Sequence, residues 1–306
     1  MNPDPSILTI VLNWNNPEDT LACLRSVTAI NYPAMQTIVV DNGSTDDSVA
    51  RVRAAHPGIK VIETGENLGY AGGNNVGIRY GLNQRFDLFC ILNNDVTVAS
   101  DFLIPLLAVL MQRIDVGVVT PLLVSPTEPP RILNAGVTFD FRTGQATHRF
   151  QGQAPDTPGV NITDVDVASG SAMLVRRQMF EKFGFLPEKY FLYYEDAHWC
   201  TSVWRGGYRV VCQPRAHARH RISATLGRES QLITYYMTRN QLLFLWLNAP
   251  ENLRYRVLLR ILGQDIVYIA SDGGRRHWGR ARARLLGIVD FVTGRFGPCS
   301  WSVEGA

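Results

Sequence analysis

The chain has 306 residues, 46% of them hydrophobic and 19% charged, with a formal net charge of +3. These values are ordinary for a soluble globular protein, and the length suggests one large domain or a domain with an appendage. No apolar run approaches the roughly eighteen residues needed to span a bilayer, the start lacks a signal-peptide pattern, and five scattered cysteines argue against a zinc or disulfide framework.

The charge is uneven. From Glu251 to Gly297 there are nine arginines against four acids, so the basicity belongs to the C-terminal segment and points to a nearby anionic partner.

In chain order, residues 7–12 (ILTIVL) read as a buried strand by length and β-branching. Asn16 and Pro17 read as N-cap and first helical residue of an amphipathic helix. Residues 36–40 form a second strand, ended by the turn formers DNGSTDDS. A third strand covers 60–64, a Gly-interrupted helix 72–84, a fourth strand 88–94, and a helix begun by Ser100 or Asp101 runs to 112. Alternation of this kind specifies an α/β domain with a largely parallel sheet. The pattern loosens over 121–166 around a hairpin. It resumes with a strand at 171–175, helices at 177–184 and 195–207, and a strand at 208–212. After Thr225 the chain reads as amphipathic helix.

Ligands of parallel α/β sheets bind beyond the carboxyl ends of the strands. Four polar clusters fall there: NWNN (13–16), Asp41-Asn42, ENLGYAGGNN (66–75) and NNDV (93–96). Each alone could be turn chemistry; together on one edge they suggest a shared site. A dinucleotide fold is disfavoured, because no Gly-x-Gly-x-x-Gly follows the first strand. Asn93, Asn94 and Asp95 raise the sharper question, since a core strand ends there in a single carboxylate. Either the three shape a turn or Asp95 holds something.

The ordered motifs TIVLNWNN, IVVDNGSTDDS, ENLGYAGGNNVGI and LNNDV resemble the nucleotide-binding half of family 2 glycosyltransferases with the GT-A fold. The later stretch from Ser169 to Val210, with its YYEDAHW segment, is similar to the acceptor half of rhamnosyltransferase-like members. The resemblance implies a Rossmann-like, mostly parallel sheet flanked by helices, with a helical C-terminal extension. It divides the chain into residues 1–225, catalytic, and 226–306, helical, with 1–120 as the nucleotide-sugar half and 121–225 as the acceptor half.

The same resemblance implies roles. Asn13, Trp14, Asp41, Asn42, Gly69, Asn74 and Asn94 would bind the nucleotide sugar. Trp14 would lie beside the base and Asp41 would accept its imide proton; a core indole and a turn carboxylate are the plain alternatives. Asn74 would lie near the ribose-diphosphate, or merely cap a helix. Asp95, at the Asp-x-Asp position, would hold Mg²⁺ or Mn²⁺ with Asn93 and His220, although Asn93 replaces an aspartate and His220 could be a surface residue. Of the acidic pair Glu195 and Asp196, which equally suits a helix N-terminus, Asp196 matches the general base. His198 departs from the acidic residue common in relatives.

The expected activity is therefore inverting transfer of a sugar, with rhamnose favoured, from a dTDP- or UDP-sugar to a glycan or lipid-linked saccharide. A catalytically inactive nucleotide-sugar-binding protein is the rival. The expected location is cytoplasmic and peripheral on the membrane's inner face, with no nucleic acid partner. The basic C-terminal helices would lie on an anionic membrane surface, or pack on the catalytic domain or a second subunit.

Overall fold

The computed structural model of the protein describes residues 4–221 and 231–300. The expected boundary at 225/226 lies outside the described residues.

The first half alternates as expected: β1 (Ile7–Asn13), α1 (Pro17–Thr28), β2 (Met35–Asp41), α2 (Ser48–Ala55), β3 (Lys60–Glu63), α3 (Gly69–Asn83), β4 (Leu88–Asn93), β5 (Val96–Val98) and α4 (Leu103–Gln112). There follow β6 (Val116–Val124), β7 (Ile132–Asn134), β8 (Val137–Asp140), β9 (Gln145–His148), β10 (Thr163–Asp164), β11 (Ala172–Arg176), α5 (Arg177–Phe183), α6 (Glu195–Arg205) and β12 (Arg209–His220). Three helices complete the chain, α7 (Gln231–Asn248), α8 (Glu251–Gly274) and α9 (Trp278–Thr293).

Among the described residues, ten strands form one sheet in the order β10-β12-β6-β11-β4-β1-β2-β3, with β5 on β12 and β7 on β6. The β3-β2-β1-β4 block is parallel. β11 runs against both β4 and β6, and β12 is again parallel to β6. β8 and β9 form a separate hairpin.

β1 is buried at every position, with Leu8, Ile10 and Leu12 in one apolar cluster and Ile7 and Val11 in the other. That is why it reads as a continuous apolar run rather than an alternating one. α1, α2 and α4 cover the second cluster through Leu24, Val52 and Leu106. α5, α6 and α7 cover the first through Phe180, Trp199 and Phe244.

Several expected boundaries shift for local reasons. α3 starts at Gly69, three residues early, because only a glycine tolerates both its φ of +73° and the neighbouring chain: a Cβ there would lie 2.4 Å from Phe191 O. α4 starts late, at Leu103, since Ser100 and Asp101 sit in a turn closed by Phe102 N–H to Ala99 O (3.1 Å) and Ile104 N–H to Asp101 O (3.0 Å). β12 runs eight residues beyond the expected Cys212, carried by pairing with β6 past a bulge and then with β5. β6 is buried along its whole length and crosses position 120, where the two expected halves meet. Asn16 does cap α1, accepting from Asp19 N–H at 3.4 Å. Asn15 and Asn16 both have positive φ (56° and 59°), a conformation asparagine tolerates better than most residues.

α7 is part of the core. Leu242, Leu243, Phe244 and Leu245 are almost fully buried, and burial of each such side chain is worth about 1.5–3 kcal/mol. α9 crosses α7 closely at Gly287, where a Cβ would lie 2.9 Å from Tyr235 O. The apolar side chains of α8 do not all turn inward: Leu258 is buried, whereas Ile266 is 63% exposed. Among the described residues no helix is long and apolar enough to cross a membrane.

Candidate active site

The sheet aligns its carboxyl ends, with Asn13 opposite Asp41 and Leu12 opposite Asn93. Asn13 Nδ2 donates to Asp41 Oδ1 (2.7 Å) and Ser44 Oγ (3.0 Å), while Thr20 Oγ1 donates to Asn13 Oδ1 (2.5 Å). Asn94 Nδ2 joins the network through Thr20 Oγ1 (2.9 Å) and Asn13 Oδ1 (3.3 Å). Asp41 also accepts from Ser44, on Oδ1 from the hydroxyl (2.5 Å) and on Oδ2 from N–H (3.0 Å). Asp41 Oδ2 thus accepts one bond among the described residues and keeps a lone pair. Trp14 stands at the rim, 37% exposed, so it is no core indole.

Two expected binding residues are buried and bonded within the protein. Asn42 is buried and fully engaged, donating to Asn67 Oδ1 (3.1 Å) and Gly69 O (3.0 Å) and accepting from Leu68 N–H (3.0 Å). It staples the turn before α3. Asn74 lies wholly buried in α3, donating to Tyr70 O at 3.0 Å, while its Oδ1 is buried without a hydrogen-bond partner. Gly69 serves the close approach to Phe191 described above.

Asp95 follows β4, and the antiparallel pairing of β5 with β12 sets His220 opposite Val96, one residue on. Strand alternation decides between the two histidines of this stretch, since His217 faces solvent. His220 Nε2 stands 3.1 Å from Asp95 Oδ1. The contact is not a hydrogen bond: Asp95 Oδ1 is buried without a hydrogen-bond partner, as is Asn93 Oδ1. Two ligands of one octahedral cation, each about 2.1 Å from it, stand about 3 Å apart. The pair therefore fits a hard divalent cation. Among the described residues no group of three or more His, Cys, Asp or Glu could hold one, so the other ligands would come from substrate oxygens and water.

Glu195 and Asp196 open α6 behind a strained approach. Phe191 (φ 64°, ψ −56°) is the centre of a left-handed γ-turn closed by Leu192 N–H to Tyr190 O (2.8 Å), and Tyr193 and Tyr194 also have positive φ. For bulky residues such conformations cost about 1–3 kcal/mol each and persist only where the surroundings impose them. The two carboxyls then diverge. Glu195 is 4% exposed, and burial followed by the charge of Asp196 pushes it well above the usual carboxylate range. Asp196 is half-buried, and burial also raises it. The N–H groups of Gly170 (3.0 Å) and Ala197 (2.7 Å) oppose that rise by bonding the ionised form. Both shifts run upward, and the bonds from Gly170 and Ala197 favour the ionised form at Asp196. One cavity of about 400 Å³ brings Asn93, Asp95, His220, Glu195 and Asp196 together.

Residues 7–184 match the domain described as glycosyl transferase family 2. The chain belongs to that family. It is 31% identical to the low-salt glycan biosynthesis hexosyltransferase Agl10 of Haloferax volcanii, over 67% of this chain and 64% of that protein's length. It is 23% identical to the dTDP-rhamnosyl transferase RfbF of Shigella flexneri, covering 94% of this chain and 96% of the relative. It is 25% identical to the N-acetylglucosaminyl-diphospho-decaprenol L-rhamnosyltransferase of Mycobacterium tuberculosis, over 87% and 92%. The fold is similar to that of the mannosyltransferase PcManGT from Pyrobaculum calidifontis, solved with GDP-Man and Mn²⁺. The TM-score is 0.60 at 15% identity, covering 96% of this chain and 89% of that one.

Within this family 2 fold the cavity has walls that sequence reasoning did not find. Val137, Phe139, Ala146 and His148 of the β8–β9 hairpin line it, as do Tyr70 and Met237. Burial lowers the His148 pKa, while the nearby charge of Asp196 opposes that shift. Irregular sequence around the hairpin offered no periodic signal to single it out. Gly170 was legible as part of SGSAMLV, but its bond to Asp196 was not. His198 lies outside the cavity lining: Nδ1 meets Tyr190 Oη (2.9 Å) and Asn248 Nδ2 (3.1 Å), and burial lowers its pKa to about 4. It ties α6 to α7 and makes no acceptor wall. Trp199 is likewise core, 1% exposed.

Proposed function

We propose that this family 2 glycosyltransferase moves a sugar, rhamnose in the favoured case, from a dTDP- or UDP-sugar to a glycan or lipid-linked saccharide, with inversion. The observation that carries the reading is the meeting of Asp196 with the Asp95–His220 pair in one cavity. Asp196, the carboxyl whose ionised form the Gly170 and Ala197 N–H groups favour, takes the acceptor hydroxyl's proton as that oxygen attacks the anomeric carbon. Asp95, His220 and Asn93 hold Mn²⁺ or Mg²⁺. The cation, when bound, neutralises charge on the departing nucleoside diphosphate. Asp41, with its spare lone pair, accepts the imide N–H of uracil or thymine, and Trp14 flanks the base. Rhamnose and a lipid-linked acceptor draw further support from the names of the Shigella and Mycobacterium relatives.

The test is a thermal-shift panel of nucleotide sugars with Mn²⁺ or Mg²⁺, followed by assay of nucleoside diphosphate release with saccharide acceptors. Ligand at a hundred times its Kd adds about 2.7 kcal/mol of stability, an easily read shift. dTDP- and UDP-sugars should stabilise most, and more with cation. An inactive binding protein would shift without ever consuming donor, and indifference to every dTDP- and UDP-sugar would sink the donor assignment.

The C-terminal helices are proposed to rest on an anionic membrane. α8 exposes Tyr255, Leu259 and Ile266 along one side, and α9 exposes Trp278, Leu285, Val289 and Val292. Arg256, Arg260, Arg275, Arg276 and Arg282 are exposed nearby. Arg284 belongs to the packing instead, paired with Asp265 at 3.1 Å, and half-buried Arg280 lies 4.0 Å from Asp272. Replacing Leu259, Leu285 and Arg282 with Ser should abolish salt-sensitive flotation with phosphatidylserine vesicles. Intact protein that ignores such vesicles at low salt would leave these faces to a second subunit.

A further inference from the structure

The approach to the catalytic carboxyls is held from a distant helix. Asn240 of α7 is wholly buried, and the two N–H groups of its Nδ2 are shared among three backbone oxygens of one loop within hydrogen-bond distance: Tyr190 O (2.9 Å), Leu192 O (2.7 Å) and Tyr193 O (3.0 Å). Arg239, also wholly buried, adds Nη2 to Tyr190 O (2.9 Å) and fixes the Asn240 amide through Nε to Oδ1 (2.9 Å). The remaining arm of Arg239 reaches Gly297 O (2.8 Å) beyond α9. On the opposite side Phe191 O accepts from Tyr70 N–H (2.7 Å) at the start of α3.

These contacts fall on the stretch whose backbone is least favourable by itself, with positive φ at Phe191, Tyr193 and Tyr194. A chain left to local preference would relax there, because side-chain-bearing residues rarely occupy that region. Relaxation would act directly on Glu195 and Asp196, the next two residues. The sidedness of the contacts matters: Asn240 presents its two N–H groups to carbonyls that the kinked path turns toward it.

We propose that Asn240, oriented by Arg239, is a positioning residue that holds the Tyr190–Tyr194 loop in its kinked path and so aims Asp196 into the cavity. The C-terminal helical segment thereby becomes part of the catalytic apparatus. This deepens the transferase reading and rests on it for the role of Asp196.

The experiment compares Asn240→Ala and Asn240→Ser with Asp265→Asn, which breaks the buried Arg284 ion pair of the same helical segment and leaves the Asn240 and Arg239 bonds to the loop in place. Hydrogen exchange by mass spectrometry should show faster exchange confined to amides 190–196 in both Asn240 variants. Steady-state assays should show kcat lowered about tenfold to a hundredfold, as small misplacement of a reacting group does, with donor KM changed less than about threefold. Asn240→Ser, which keeps one donor, should fall between wild type and Asn240→Ala. Asp265→Asn should lower Tm yet leave kcat within about twofold. The proposal is overturned by unchanged loop exchange, by kcat losses that simply follow Tm in all three variants, or by both Asn240 variants failing to fold, which would mark a plain core contact. Wild-type protein that transfers no sugar would refute the transferase reading instead, and the exchange data would still report on the clamp.

Discussion

The cavity's loop wall and the neighbouring strand ends are held by different means. At the strand ends proposed to take the donor, Asn13, Asp41, Ser44 and Asn94 stand at or just beyond the ends of adjacent parallel strands and are bonded together, with Thr20 of α1 joining them. At the acceptor end, Tyr190 to Tyr194 form no regular hydrogen-bond ladder and keep an unfavourable backbone through contacts to α3 and α7. The first region is rigid because its anchors are its own strands. The second is shaped from outside, so it can be detuned by changes far from any reacting atom.

The largest effect should come from Asp95, whose side chain is needed for no protein hydrogen bond at Oδ1. Under the proposed role, Asp95→Ala removes the carboxylate ligand and leaves the β4–β1–β2 network untouched. Transfer should drop to background, and excess EDTA should reproduce the loss in wild type. Because the donor end supports itself, Tm should move by less than about 3 °C, the equivalent of roughly 1 kcal/mol at this size. Full turnover of Asp95→Ala, or of wild type in EDTA, would remove the cation from the reaction. A large Tm drop would instead break the contrast, making the donor end as dependent on one contact as the acceptor loop.

Asp196→Asn comes next. It preserves shape but keeps only one of two backbone bonds, since Gly170 N–H donates to Oδ2 and Ala197 N–H to Oδ1 and an amide has a single acceptor oxygen, and no proton can be taken up. Turnover should fall by about 10²–10⁴-fold, with donor affinity nearly unchanged. Wild-type kcat/KM should rise with pH as Asp196 ionises. Its raised pKa, caused chiefly by burial, sets that limb above the ordinary aspartate range. An acid limb at the usual aspartate value would contradict the buried setting, and a dead Glu195→Gln beside an active Asp196→Asn would exchange the two roles.

Much of the fold was legible because its signals are local. The buried runs of β1 and β4 and the Asn16–Pro17 start of α1 need no knowledge of distant partners. The donor-end residues were legible for the same reason, since strand ends collect there by topology. What stayed hidden depends on contacts across many residues. Strand pairing of His217–His220 with β6 and β5, past the bulge after Gln213, cannot be read from a basic loop-like sequence. Asn42 looks like a ligand by composition, and only its partners show that it braces the turn before α3. His148 and Asn240 carry no motif at all, because their meaning lies in the loop or carboxylate each one faces.

The smallest effect separates the two carboxyls by stability alone. Burial and the charge of Asp196 raise the Glu195 pKa in the folded chain above its value of about 4.3 when unfolded. The folded state therefore binds that proton more tightly than the unfolded chain does. This contribution to stability is complete below the unfolded pKa and is lost as pH rises toward and through the folded one. Glu195→Gln keeps a neutral group of the same shape and has no proton to lose. Its Tm should match wild type near pH 4 and exceed it increasingly toward neutral pH, by about 2–4 °C for each kcal/mol recovered. Calorimetry across that range checks it. A Tm difference that does not vary with pH would mean Glu195 titrates alike in both states, and the division of labour between the two carboxyls would then need another cause than burial.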